Sequence, residues 1–167
     1  MVLGLAVLGS AGAAQRVVEP GTPLQPLVDA AAPGEVLLLA PGRHPGPLVI
    51  DRPLELRGQA GAIITGTGTG SVITVTAPDV RIEGLEITGS GTDLPAMDSA
   101  ILVQQAAPRT IVRGNRLMNN LFGVYLHGAA DSRVENNIID GRQDLRRAEA
   151  GKRVSIWKAP GAAIIGN

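Results

Sequence analysis

Apolar and polar positions in the second half of the chain recur in one frame. Thr110-Ile111-Val112-Arg113-Gly114-Asn115, Ser132-Arg133-Val134-Glu135-Asn136-Asn137 and Ala162-Ala163-Ile164-Ile165-Gly166-Asn167 superpose residue by residue. Val112 and Val134 lie 22 residues apart and Val134 and Ile164 lie 30 apart, the polar stretch 142–151 taking up the difference. Ahead of each block is a second apolar run (Ala100 to Val103, Gly123 to Leu126, Arg153 to Ile156), and a shorter one follows (Arg116-Leu117, Ile138-Ile139). Strands of this length, broken by Gly, Asn and Asp and returning about every 22 residues, predict a solenoid of stacked β coils. No apolar stripe of helical period continues beyond residue 36.

The same frame reaches backwards through Leu54-Glu55-Leu56-Arg57-Gly58 and Val80-Arg81-Ile82-Glu83-Gly84. Leu56, Ile82, Val112, Val134 and Ile164 then form an inward column. Strand alternation turns Arg57, Glu83, Arg113 and Glu135 outward, with charges of alternating sign. At the ~4.8 Å strand spacing such cross-strand pairs contribute about 0.2–1 kcal/mol each. Asn115, Asn137 and Asn167 stack at the following turn as left-handed residues whose amides form a ladder.

Upstream, the pattern predicts a helical cap over residues 22–33. Thr22 is placed as its N-cap, Pro23 at the first helical position, Gln25 in a capping box, and Pro33-Gly34 as its stop. Leu24, Leu27, Val28 and Ala31 share one face of that helix. Coils occupy residues 36–167. The Thr/Gly turn Gly66 to Gly70 lacks the Lys-Ser/Thr and helix of a phosphate loop. Residues 89–98 form an excursion from the solenoid and the expected functional loop. The chain stops at Asn167 in mid-coil, from which a longer natural protein is expected.

Composition narrows the classes. Hydrophobic residues make up 44% and aromatic residues only 2%, which suits slim coils filled by Val, Ile, Leu and Ala. A net charge of zero argues against a nucleic-acid surface, and the lack of Cys excludes disulfides, thiolate metal sites and thiol nucleophiles. Residues 1–14 are apolar and then small, like the core and cleavage region of an export signal without its charged start. They are too few to span a bilayer, which needs about 20. The domain organisation is thus a leader over 1–14 and an all-β domain over 15–167.

Several segments carry a resemblance. Leu24 to Gly34, Ala40-Pro41-Gly42-Arg43-His44, Ile50 to Leu54, Leu121-Phe122-Gly123-Val124-Tyr125-Leu126, Arg133 to Asn137 and Ile156-Trp157 are similar to the first part of the NosD family. The resemblance implies a right-handed parallel β-helix in the periplasm, peripheral to the membrane. It further implies docking on an ABC-type ATPase/permease, with a copper chaperone and nitrous oxide reductase as partners, in copper-site assembly. Where the family tends to carry Gly-Asp-Gly-Ile, this chain has Gly151-Lys152-Arg153-Val154, losing an acid and gaining two cations.

Copper(I) is soft and, without Cys, takes Met sulfur or His nitrogen. Met97, Met118 and His127 are the expected ligands of a transient site, with His44 the other imidazole. Trp157, exposed if its strand alternates, is the expected partner-binding anchor. An alternative reading is a carbohydrate-binding protein or polysaccharide lyase or hydrolase, in which Asp93 and Asp98 supply the paired carboxylates, or Asp140 and Asp144 with Arg142, Arg146 and Arg147 nearby. Three aromatic residues furnish a sugar cleft poorly.

Overall fold

The computed structural model describes residues 12–145 and 151–167. Residues 1–11 of the expected leader, and Arg146 and Arg147, lie outside them. After β1 (Gln15–Val18) and α1 (Leu24–Ala30) the chain winds through coils of three strands. These are β2 (Val36–Leu39), β3 (Gly42–Pro45) and β4 (Leu48–Ile50); β5 (Glu55–Gly58), β6 (Ala62–Thr65) and β7 (Ile73–Val75); β8 (Arg81–Glu83), β9 (Glu86–Thr88) and β10 (Ser99–Val103); β11 (Ile111–Arg113), β12 (Arg116–Asn120) and β13 (Phe122–His127); and β14 (Arg133–Glu135), β15 (Ile138–Gly141) and β16 (Val154–Trp157). β17 (Ala163–Ile165) opens a further turn.

Every strand pairs in parallel with its counterpart one coil away. The first sheet runs β1-β2-β5-β8-β11-β14-β17, the second β3-β6-β9-β12-β15 and the third β4-β7-β10-β13-β16. This is a parallel β-helix, right-handed by the rule that governs parallel crossovers.

The core is the line where the inward columns of the three sheets meet. The register joins Leu37, Leu56, Ile82, Val112, Val134 and Ile164, and the first five are fully buried. Each such aliphatic side chain contributes about 1.5–3 kcal/mol by leaving water. Successive members lie 19, 26, 30, 22 and 30 residues apart, so the expected 22-residue period holds only between Val112 and Val134. The corner from the first to the second sheet stays short from β8 onward. Residues 66–72 and 89–98, with the described residues 142–145 and 151–153, lie at the corner from the second to the third sheet.

The charged columns form in the expected register, but pairing runs along strands as well as between coils. Arg113 reaches Glu83 at 2.8 Å, Arg81 approaches the same carboxylate at 3.7 Å, and Arg57 and Arg133 bind Glu55 and Glu135 within their own strands. The arginines are half exposed and the glutamates lie flat beneath them.

The asparagine ladder is present with one correction. The left-handed residues are Gly84, Gly114, Asn136 and Gly166, each immediately before the ladder position, at φ +68°, +63°, +53° and +64°. Their reversal turns the next side chain inward, so Asn115 and Asn137 are buried. Asn115 Nδ2 and Asn137 Nδ2 donate across coils to Asn137 Oδ1 and Asn167 Oδ1 at 3.1 and 2.7 Å. The same amides donate to Ile82 O and Val112 O, which fills their donor capacity.

The N-terminal end is closed on all three sheets. β1 pairs with the edge of the first sheet, Gly21 N–H donates to Arg43 O on the second, and α1 lies against β4 on the third. The expected capping box does not form: Pro23 takes the N-cap position without a side-chain bond. Gln25 is drawn instead to the open backbone of β4, accepting from Val49 N at 2.8 Å and donating to Val49 O at 3.0 Å. An amide spanning both groups of one residue occupies an otherwise unpaired strand edge.

Candidate functional site

The outer face of the third sheet is set by alternation along β7, β10, β13 and β16. Thr74, Leu102, Tyr125 and Ser155 form one outward row, and His127 stands beside Trp157 in the next. Tyr125 packs edge-on against Phe122 at 5.2 Å and against His127 at 6.2 Å between ring centroids. Trp157 is 54% exposed, as the alternation of its strand predicts, and Lys158 Nζ lies 5.7 Å from its ring centroid. All three aromatic residues of the chain therefore sit in one connected region. Composition alone conceals this convergence; carrying the strand register from β13 to β16 reveals it.

Met97 and His127 line one depression of about 610 Å³ on this face, with Gln104, Gln105 and Ala106. The loop holding Met97 is closed by its own polar groups. Asp93 N donates to Asp98 Oδ2 and Ala96 N to Asp93 Oδ1, each at 3.0 Å; Met97, in the left-handed region at φ +60°, bonds Leu94 O through its N–H. Ser99 Oγ then donates to Met97 O at 2.6 Å. These bonds fix the backbone turn that carries Met97.

Met118 is not with them. It faces outward from the second sheet, between Thr88 and Asp140 of the adjacent coils. Successive strands of one coil thus place Met118 and His127 on different faces. His44 belongs to the core: it stacks on Ile64, and its Nε2 donates to Ala40 O at 2.8 Å. Among the described residues no cluster of three His, Cys, Asp or Glu side chains could hold a metal ion.

The carboxylates of the sugar-cleaving alternative have structural partners. Asp93 and Asp98 brace their own loop beside Gly68, Thr69 and Gly70. Arg142 holds Asp144 through a side-chain hydrogen bond that keeps its carboxyl below the ordinary value, and donates to Ser90 O at 3.3 Å. Gln143 bonds Asp140.

One repeat escaped the sequence reading. Ala77-Pro78-Asp79, Ala107-Pro108-Arg109, Ala129-Ala130-Asp131 and Ala159-Pro160-Gly161 build the corner from the third to the first sheet, the last residue of each triplet in the left-handed region. Arg109 donates to both Asp79 oxygens at 2.7 Å. The Ala-Pro pairs were the available signal.

Among the described residues no helix is long and apolar enough to cross a membrane. No family model matches the chain. It is similar to an alginate lyase from Paenibacillus sp. str. FPU-7 (TM-score 0.65, 19% identity, 92% of this chain and 58% of that one) and to a pectin methylesterase bound to a hexasaccharide (TM-score 0.55, 16% identity, 92% and 66%). At these identities the likeness concerns the fold. Two curated relatives, each a probable ABC transporter binding protein NosD, are closer in sequence. The one from Pseudomonas aeruginosa is 37% identical over 99% of this chain, and the one from Stutzerimonas stutzeri 36% identical over 93%. The chain spans 37% and 35% of their lengths. A shorter Pseudomonas aeruginosa relative of the same name is 41% identical over 57% of this chain and 84% of its own length. The chain belongs to the NosD family.

Proposed function

We propose that this chain is part of an exported accessory protein that docks on an ABC-type ATPase/permease in the periplasm and passes copper(I), as cargo, toward nitrous oxide reductase. The relatives' name as probable ABC transporter binding proteins supports the docking role. The observation that carries the cargo reading is the shared depression of Met97 and His127, beside the exposed Trp157. A thioether and an imidazole are donors suited to Cu(I), and a site open on one side suits transfer better than storage. Gln104 and Gln105 supply a polar rim without the charge of a carboxylate. Met118, on another sheet, is left out of the ligand set. The carboxylates required for sugar cleavage are occupied in bracing loops, which favours a binding role.

The test is an anaerobic competition titration of Cu(I) against a chelator of known affinity. Met97→Leu and His127→Gln are expected each to weaken binding at least tenfold, about 1.4 kcal/mol, while Met118→Leu leaves it unchanged. Binding indifferent to Met97 and His127 overturns the cargo site. Release of unsaturated or reducing ends from alginate or pectin would replace the reading with an enzymatic one.

A further inference from the structure

The distribution of charge over the three sheets is uneven although the chain has no net charge. On the first sheet each outward arginine has a carboxylate beside it, and on the second Arg116 lies near Glu86. The outward positions of β7, β10, β13 and β16 include no acid. Arg153 stands one position before Val154, whose side of β16 faces the core, so Arg153 shares the outer face with Ser155 and Trp157. Lys158 follows on the ring of Trp157. Neither cation has a carboxylate within salt-bridge distance among the described residues, and Lys152 adds a third exposed charge at the edge.

Trp157 is exposed for a different reason from its neighbour Ile156. Ile156 continues the inward column of Val103 and Leu126, whereas Trp157 continues the outward row of His127. Stacking a further coil on β16 would bury Ile156 and leave the indole on the surface.

We propose that the outer face of the third sheet is a docking surface for an acidic segment of a protein partner, with Trp157 and Tyr125 as aromatic anchors and Arg153 and Lys158 as a charge-selective rim. This deepens the docking part of the proposed function and rests on it. Trp, Tyr and Arg are the residues that most often dominate protein interfaces, and cations with no acid beside them among the described residues of the face select a partner of opposite sign. A sugar fits less well, because Lys158 already lies over the indole. Salt dependence is expected, since the rim is exposed to solvent.

Trp157 is the only tryptophan, so its fluorescence reports directly on this face. The full chain is titrated with a soluble amphipathic peptide of Glu and Leu, its Lys and Leu counterpart, phosphatidylglycerol vesicles and an oligouronate. The acidic peptide alone is expected to shift the emission to the blue, with affinity falling about tenfold from low to high salt and again in Arg153→Ala/Lys158→Ala. That double variant keeps the reporter and touches no core residue. An equal response to the basic peptide, an acidic-peptide response unchanged in the double variant, or no response overturns the proposal. So does a response confined to vesicles or to the oligouronate, each assigning the face to another ligand. Cu(I) affinity on the same samples is read separately, so failure of this face and failure of the cargo site remain distinguishable.

Discussion

Asn137 Oδ1 accepts two hydrogen bonds from Asn115, one from its backbone N–H at 3.0 Å and one from its Nδ2 at 3.1 Å. Asn137 Nδ2 in turn donates to Val112 O and to Asn167 Oδ1. Four bonds thus pass through one buried amide. Asn137→Ala leaves donors on Asn115 and the Val112 carbonyl short of a partner in the interior, and is expected to cost about 3 kcal/mol in denaturant unfolding. Asn137→Asp adds a buried charge and costs more at neutral pH, with partial recovery as acid restores a donor; an unfolding free energy that did not improve on acidification would contradict this.

The inward column predicts a graded series. Ile82 lies between Leu56 and Val112 and is fully buried. Ile82→Val is expected to cost about 1 kcal/mol and Ile82→Ala about 3 kcal/mol. Ile111, one residue from the same column but facing outward, is expected to accept Thr within about 0.5 kcal/mol by the same unfolding assay.

Gly123 is required by packing. A Cβ there would stand 2.3 Å from Arg153 O and 2.5 Å from Ile139 Cγ2. Gly123→Ala should push β16 away from β13 at about 1–3 kcal/mol. Trp157 emission, which depends on the pairing of β16 with β13, is expected to change with it.

Arg109 holds the Asp79 carboxyl below its ordinary value through their paired hydrogen bonds. The folded chain therefore takes up this proton less readily than the unfolded chain. The pair's contribution is present above the ordinary carboxylate range and is lost as pH falls through the lowered value. Arg109→Ala should return Asp79 toward the ordinary carboxylate value and flatten the acid limb of stability below it. An NMR titration of the Asp79 carboxyl checks the direction.

Gln25 closes the edge of β4. Gln25→Ala should speed hydrogen exchange at the Val49 amide and cost about 1 kcal/mol, the bonds being exposed to solvent. Unaltered protection at Val49 would show that helix packing alone seals the edge.

The columns, the charge alternation and the amide ladder were legible because a period of two, repeated coil after coil, leaves one register that buries Leu56, Ile82, Val112 and Val134 together. The Thr22 cap failed because it weighed only local chain chemistry; the unpaired backbone of β4 competes for Gln25 and is visible only once the coil is closed. Met118 was grouped with His127 by proximity in sequence, although a tight corner separates them onto different sheets. Trp157 was legible from alternation alone. Tyr125 was not, since residues 142–153 lie between it and Trp157 in the sequence and hide that the two share a face.

The amide ladder also determines where this architecture can change. Ile82 to Ile87, Val112 to Leu117 and Val134 to Ile139 cross the ladder corner by the same five-residue step. One added residue there would move an amide out of line with those above and below it. The opposite corner carries excursions of unequal length with the strands on either side still in register. Drift, grafted epitopes and engineered reporters are therefore all steered to the side of the molecule that carries the Met97 loop, and new binding properties can arise there without disturbing the stack.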